Sequence, residues 1–208
     1  KKRYLSKLIV PKYRDYKKIK HQIKNNYLIS KINDENMSFI YTFSKLLKIK
    51  EKSFVNAMQT FRGLSHRFEV FLKKKNVTFI DDSKATSFKS SELALSSLKN
   101  IYWILGGLPK RGDRFNLNKY KKNIIKCYII GNHTDFFKKQ IKGKLPFSIT
   151  KNLTNSFIKI IKDTNYKKQT NKTILLSPSA ASYDQFINFE MRGKRFKKLS
   201  KKYVKKLI

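Results

Sequence analysis

With 208 residues, 40% of them hydrophobic and 13% aromatic, the chain can bury a sizeable core, which excludes wholesale disorder despite 30% charged residues. A formal charge of +36 points first to polyanions, yet the 49 Lys and Arg are scattered among Asn and Ile, as in Lys24-Asn25-Asn26 and Lys121-Lys122-Asn123-Ile124, rather than gathered in one basic arm. The lone cysteine, Cys127, excludes an intramolecular disulfide, and no apolar stretch approaches the roughly 18 residues of a membrane span, so a cytoplasmic protein is expected.

In chain order, the basic opening carries two candidate strands, Leu8-Ile9-Val10 and Tyr27-Leu28-Ile29; starting at Lys1 rather than Met, it is expected to lack an N-terminal portion. From Asn36 to Leu47 the residues Met37, Phe39, Ile40, Phe43, Leu46 and Leu47 recur at helical spacing, and Ser53 to Phe61 repeats this with Phe54, Val55, Met58 and Phe61. At Gly63 the pattern changes. Phe68 to Phe71 and Val77 to Ile80 alternate around the turn Lys73-Lys74-Lys75-Asn76, which predicts a strand hairpin. A polar loop, Asp81 to Thr86, leads to a helix over about Ser90 to Leu98 and then to the apolar strand Ile101 to Leu105, which stops at Gly106-Gly107. Further strands are expected at Cys127 to Ile130, where a buried thiol fits, and at Ile174 to Leu176, with a helix around Ser156 to Lys162 between them. This alternation predicts an α/β fold with a parallel sheet covered on both faces. The last helix carries Lys194, Arg195, Lys197, Lys198, Lys201, Lys202, Lys205 and Lys206, with Phe196, Leu199, Tyr203 and Leu207 as the stripe that packs on the sheet.

Ligands of such sheets sit beyond the carboxyl ends of the strands, so the polar residues there are the ones to read. Asp81-Asp82-Ser83-Lys84-Ala85-Thr86 suits an anion held by backbone amides and a lysine; alternatively, Asp82 or Ser83 simply caps the next helix. Gly106-Gly107-Leu108-Pro109-Lys110 turns sharply and offers a lysine, which in so basic a chain could equally be a solvated one. Leu176 to Phe186 is a run of small residues in which Ser182 reads either as the start of a ligand-facing helix or as an ordinary cap. His66 beside Arg67 reads as structural, and His133 has no partner at metal-ligand spacing. No Gly-x-x-x-x-Gly-Lys-Ser/Thr occurs in the 208 residues.

Three segments in this order resemble the Mur ligases: Phe61-Arg62-Gly63-Leu64-Ser65-His66-Arg67-Phe68-Glu69, then Phe79-Ile80-Asp81-Asp82-Ser83-Lys84-Ala85-Thr86-Ser87, then Leu175 to Phe186 running on through Asn188-Phe189-Glu190 to Arg192-Gly193. The last segment resembles the D-glutamate-adding branch. The likeness runs from about Lys31 to the end and implies the tail of a central ATPase domain over residues 1–61, followed by a Rossmann-like C-terminal domain over residues 62–208. It implies ATP-dependent ligation of D-glutamate to UDP-N-acetylmuramoyl-L-alanine through an acyl phosphate, with ATP and Mg2+ as cofactors of the complete enzyme. Small-molecule substrates, a monomer and no dedicated nucleic-acid partner also follow from it. By the same likeness Thr86, Lys110, Ser182 and Phe189 hold D-glutamate, with Tyr183 giving its backbone amide and Lys84 beside them; Lys84 and Lys110 are the catalytic candidates. Arg67 and Asp82 meet the nucleotide and Asn36 reaches the adenine. The family's His ahead of that helix is here Ile32, and its P-loop, magnesium ligands and carbamylated lysine have no counterpart, so the 208 residues alone are expected to be inactive. A basic nucleic-acid-binding protein is the alternative.

Overall fold

The computed structural model describes residues 8–25, 28, 33–165 and 171–208. The chain forms two compact units, residues 1–63 and residues 64–208.

The first unit holds three helices, α1 (Tyr13–Lys20), α2 (Asp34–Leu46) and α3 (Glu51–Thr60). Their core is Tyr16, Ile19, Ile23, Leu28, Met37, Tyr41, Phe54 and Val55. Leu8-Ile9-Val10 is exposed and forms no strand, and of the second candidate strand Tyr27 and Ile29 lie outside the described residues while Leu28 sits in a turn. The spacing over α2 predicted the helix but not its inner face. Met37, Ser38, Tyr41 and Ser44 are buried, whereas Phe39, Ile40, Phe43, Leu46 and Leu47 are exposed. Tyr41 takes the inner side because its hydroxyl reaches Glu51 Oε2 at 2.8 Å, which joins α2 to α3.

The second unit is an α/β layer structure. Strands β1 (Glu69–Lys74) and β2 (Val77–Asp81) form the antiparallel hairpin; α4 (Phe88–Ser97), β3 (Ile101–Gly106), β4 (Ile124–Ile130), α5 (Thr134–Ile141), β5 (Phe147–Lys151), α6 (Leu153–Asn165), β6 (Lys172–Leu176) and α7 (Phe189–Tyr203) follow. The sheet order is β1-β2-β6-β3-β4-β5, and every pairing from β2 to β5 is parallel. Alternate side chains of each strand point to opposite faces. Trp103, Leu105, Cys127 and Ile129 meet Ala94 and Leu95 of α4 and Phe137 and Ile141 of α5. Tyr102, Ile104, Tyr128 and Ile174 meet Phe157 and Ile160 of α6 and Phe196 and Leu199 of α7. Burial from both sides explains why β3 and the Cys127–Ile130 part of β4 read as unbroken apolar runs.

The last helix packs as its stripe predicts, with Phe196, Leu199 and Leu207 buried and Tyr203 against the same cluster, although Leu207 lies just past the 3-10 turn Val204–Lys206 that follows α7. Most of its cations face solvent; Lys197 is the half-buried one, bonded to Glu69 at 2.6 and 2.7 Å. Two helix starts differ from expectation. Ser87, not Asp82 or Ser83, caps α4, its hydroxyl accepting the Ser90 amide. No helix begins at Ser182: the chain turns there, with the Gln185 and Phe186 amides on the Ser182 carbonyl, and α7 starts only where extended Asn188 accepts the Met191 amide at 2.8 Å.

Candidate functional site

Because β2, β6, β3 and β4 run parallel and adjacent, their carboxyl ends share one edge of the sheet, and the loops that follow them meet there. Backbone pairs stitch these loops together: the Gly106 amide donates to the Pro178 carbonyl at 2.9 Å, and Leu108 and Ala181 exchange both bonds at 2.9 Å. Gly107 permits this approach. Its φ of +134° suits glycine, and a side chain there would strike the Ala181 carbonyl. The loop bearing Lys110 is thereby held beside the loop bearing Ser182.

The two adjacent carboxylates after β2 have different tasks. Asp82 is nearly buried and accepts from Ser177 Oγ at 2.7 Å and from the Phe68 amide at 3.1 Å. Burial pushes its pKa up to about 7 against those two bonds, with Asp81 next to it acting in the same direction and Arg67 opposing. Asp81, with no exposed surface, bonds His66 Nδ1 at 2.7 Å and the Ser83 amide at 3.0 Å, and burial likewise raises its pKa against these bonds. His66 is therefore the structural residue its sequence context predicted, held at φ +64° with its amide on Glu69. His66, Glu69 and Asp81 bring ligand-type atoms within 4.8 Å of one another, but the Lys197 ammonium lies 2.6 Å from Glu69 and 3.8 Å from Asp81. That cation neutralises the group, and these residues do not fit a magnesium site.

Lys84 lies over the Phe189 ring at 3.9 Å, so two residues 105 positions apart in sequence share one surface. Ser83 Oγ donates to the Phe189 carbonyl at 2.8 Å and fixes the start of α7 against the loop after β2. Thr86 and Lys110 are exposed, Ser182 is buried and Tyr183 is 72% exposed. Arg67 is exposed beside the Phe68–Asp82 bond. Asn36 is exposed on α2, in the other unit.

Arg192, almost wholly buried, was quoted in sequence without a role, and it is the hub of this edge. Its Nε reaches Ser83 Oγ at 3.0 Å, and one terminal nitrogen donates to the Ser83 and Ala180 carbonyls at 2.8 and 2.9 Å. Burial lowers its pKa to about 10, which leaves it charged at neutral pH. No sequence signal separates it from 48 other cations except its place one residue before Gly193.

No protein-family profile matches the chain. It is 37% identical over 175 residues to a UDP-N-acetylmuramoylalanine–D-glutamate ligase of Rickettsia felis, covering 84% of this chain and 39% of that protein. It is 39% identical over 170 residues to the protein of that name from Wolbachia sp. subsp. Brugia malayi, covering 82% of this chain and 34% of that protein. The chain belongs to the Mur ligase family. It thus spans little more than a third of the length of these Mur ligases. The fold agrees: a solved MurF from Acinetobacter baumannii superimposes with a TM-score of 0.52 at 14% identity, over 72% of this chain and 35% of that one. This Mur ligase chain therefore presents, at the carboxyl edge of its sheet, the loops that the resemblance singled out.

Proposed function

We propose that this chain is part of an ATP-dependent ligase that joins D-glutamate to UDP-N-acetylmuramoyl-L-alanine, and that residues 64–208 carry the D-glutamate end of its site. The observation behind this reading is the convergence, through Arg192 and the Leu108–Ala181 pair, of the loops carrying Lys84, Lys110, Ser182 and Phe189. The names of the relatives supply the reaction class. In it, the carboxylate of the nucleotide-linked precursor takes the γ-phosphoryl group of ATP, ADP leaves, and the D-glutamate amine displaces phosphate.

The Lys110 ammonium is the natural partner of a D-glutamate carboxylate. Thr86 and Ser182 supply hydroxyls, the Tyr183 amide another donor, and Phe189 an apolar wall that also orients Lys84 from beneath. Arg67, Asp82 and Asn36 belong to the nucleotide end. Asp82 already accepts two internal bonds, and each carboxylate oxygen has a lone pair left for a ribose hydroxyl. Phosphate cradling and Mg2+ binding fall to residues outside these 208, and the chain alone is inactive. Residues 1–61 are read as the tail of the ATPase domain, a reading favoured by the exposed apolar residues of α2, which water leaves poorly covered. A cytoplasmic monomer fits. No helix of the described residues is long and apolar enough to cross a membrane. The nucleic-acid alternative finds no support among the relatives.

The test is ADP release by the complete gene product carrying these residues. It should depend on D-glutamate, and Lys110→Ala should lower it about ten- to a hundredfold, the scale of losing one charge-assisted hydrogen bond to the substrate. Equal turnover with L-lysine or diaminopimelate would remove the D-glutamate assignment.

A further inference from the structure

We infer that Asp113 is a positioning residue for the amino-acid substrate, because it ties the turn that carries Lys110 to the helix start beside Thr86. This rests on the reading that Lys110 and Thr86 hold that substrate. Lys110 and Asp113 close one turn, the Asp113 amide donating to the Lys110 carbonyl at 3.1 Å. The Asp113 carboxylate accepts the amide of Phe88 at 2.7 Å, and Phe88 opens α4 two residues after Thr86. Behind the turn, Gln140 of α5 donates to the Asp113 carbonyl at 3.2 Å and accepts the Phe115 amide at 3.2 Å. Phe115 stacks on Phe88 at 4.4 Å. On its other flank the loop is held by the Leu108–Ala181 pair.

Lys110 thus projects from a short exposed segment pinned on both sides, and one of the two pins is the Asp113 carboxylate bonded to an amide in the first turn of α4. Such a bond is favoured at that end of a helix, where backbone amides lack intrahelical acceptors and the dipole attracts negative charge. Arg111 and Arg114 flank Asp113 and are both exposed, yet its carboxylate is bonded to a backbone amide. The Ser87 cap already serves Ser90, so Asp113 holds an amide that the cap does not, and it does so from the loop that must meet the substrate. Cutting this tie lets Lys110 drift relative to Thr86 without removing either.

In the complete gene product, Asp113→Ala should raise the KM for D-glutamate on the order of ten- to a hundredfold, the scale of losing one charge-assisted hydrogen bond to the substrate, while kcat and the KM for ATP change far less. Asp113→Asn keeps an oxygen for the Phe88 amide and should restore most of the loss. An unchanged D-glutamate KM in Asp113→Ala overturns the inference. So does an equal collapse of kcat and ATP affinity, or an Asn variant no better than Ala. Should Asp113→Ala fail to fold, Gln140→Ala loosens the same turn from α5 and should give the same KM rise. Lys110→Ala, measured alongside, separates the two levels. If it leaves the D-glutamate KM unaltered, the site reading itself fails; if it raises that KM and Asp113→Ala does not, only the role of Asp113 falls.

Discussion

Alanine inside a helix is normally better than glycine by about 1 kcal/mol, yet Gly193→Ala should destabilise this chain. A Cβ at position 193 of α7 would run into His66 Nδ1 and come within 2.7 Å of Asp81 Oδ2 and 2.8 Å of His66 Cε1. Neither neighbour is free to yield. The imidazole is bonded to Asp81 at 2.7 Å, the other Asp81 oxygen holds the Ser83 amide at 3.0 Å, and the His66 backbone is tied to Glu69 at 2.8 Å. If the ring swings away, a buried bond to a charged group is lost, at about 1.5–3 kcal/mol. If α7 lifts instead, the overpacking costs about 1–3 kcal/mol and strains Arg192, the next residue along. Set against the helix gain of about 1 kcal/mol, the net loss is about 0.5–2 kcal/mol if the ring swings and up to about 2 kcal/mol if the helix lifts. Trp103, the single tryptophan, is buried in β3, so its fluorescence in urea follows the 64–208 unit alone. The urea midpoint of Gly193→Ala should fall at unchanged slope. In a His66→Ala background the same change should cost less, because the nearer obstacle is gone and Asp81 loses the partner that fixes it. A Gly193→Ala chain as stable as the parent would refute the claim that the His66–Asp81 pair is a fixed wall.

The same fluorescence assay reads four further changes. Arg192→Met removes the donors to the Ser83 and Ala180 carbonyls and should cost about 2–4 kcal/mol, the scale for leaving buried acceptors unpaired; a loss below about 1 kcal/mol would show that water takes its place. Asp82 titrates near 7 when folded and near 4 unfolded, so the unfolded chain gives up its proton first as pH rises. Its contribution to stability is therefore full below about pH 4 and lost by about pH 7, and Asp82→Asn should flatten that part of the stability profile; a variant with the parent's slope over this range would contradict the raised pKa. The Tyr102 hydroxyl is buried without a partner among the described residues, whereas that of Tyr128 donates to Asp163 at 2.9 Å. Tyr102→Phe should be neutral or stabilising by up to about 1 kcal/mol, and Tyr128→Phe should cost about that much; the opposite order would show a missed partner for Tyr102.

Much of the α/β unit was legible because β3 and β4 are buried on both faces, and a run such as Ile101-Tyr102-Trp103-Ile104-Leu105 stopped by two glycines leaves few alternatives. Elements with thinner apolar signals were not. Helix α5 buries only Phe137 and Ile141 among its apolar residues, β5 is an edge strand with a mixed pattern, and α1 shows two buried apolar residues amid lysines. For α2 the periodicity marked a helix but not its inner face, since spacing states that a stripe exists and not what lies against it. At the site, small and polar residues at strand ends marked the loops, but the wiring between loops runs largely through backbone atoms. Nothing in the pair Asp81-Asp82 says that one carboxylate serves His66 and the other Ser177.

In a chain with 49 cations and 13 anions, a cation carries little information and an acid carries much. Around the sheet edge, each of five acids accepts a backbone amide: Asp81 from Ser83, Asp82 from Phe68, Glu69 from His66, Asp113 from Phe88 and Asp184 from Asn132. Lysine and arginine cannot make that bond, since neither has an acceptor. A loop that must present Lys84 or Lys110 at a defined place therefore needs its carboxylates to hold the backbone, however basic the rest of the surface becomes. The scarce acids, rather than the abundant lysines, mark where this chain has geometry to keep, and Asp113 is one whose bond falls between two residues read as touching the same substrate.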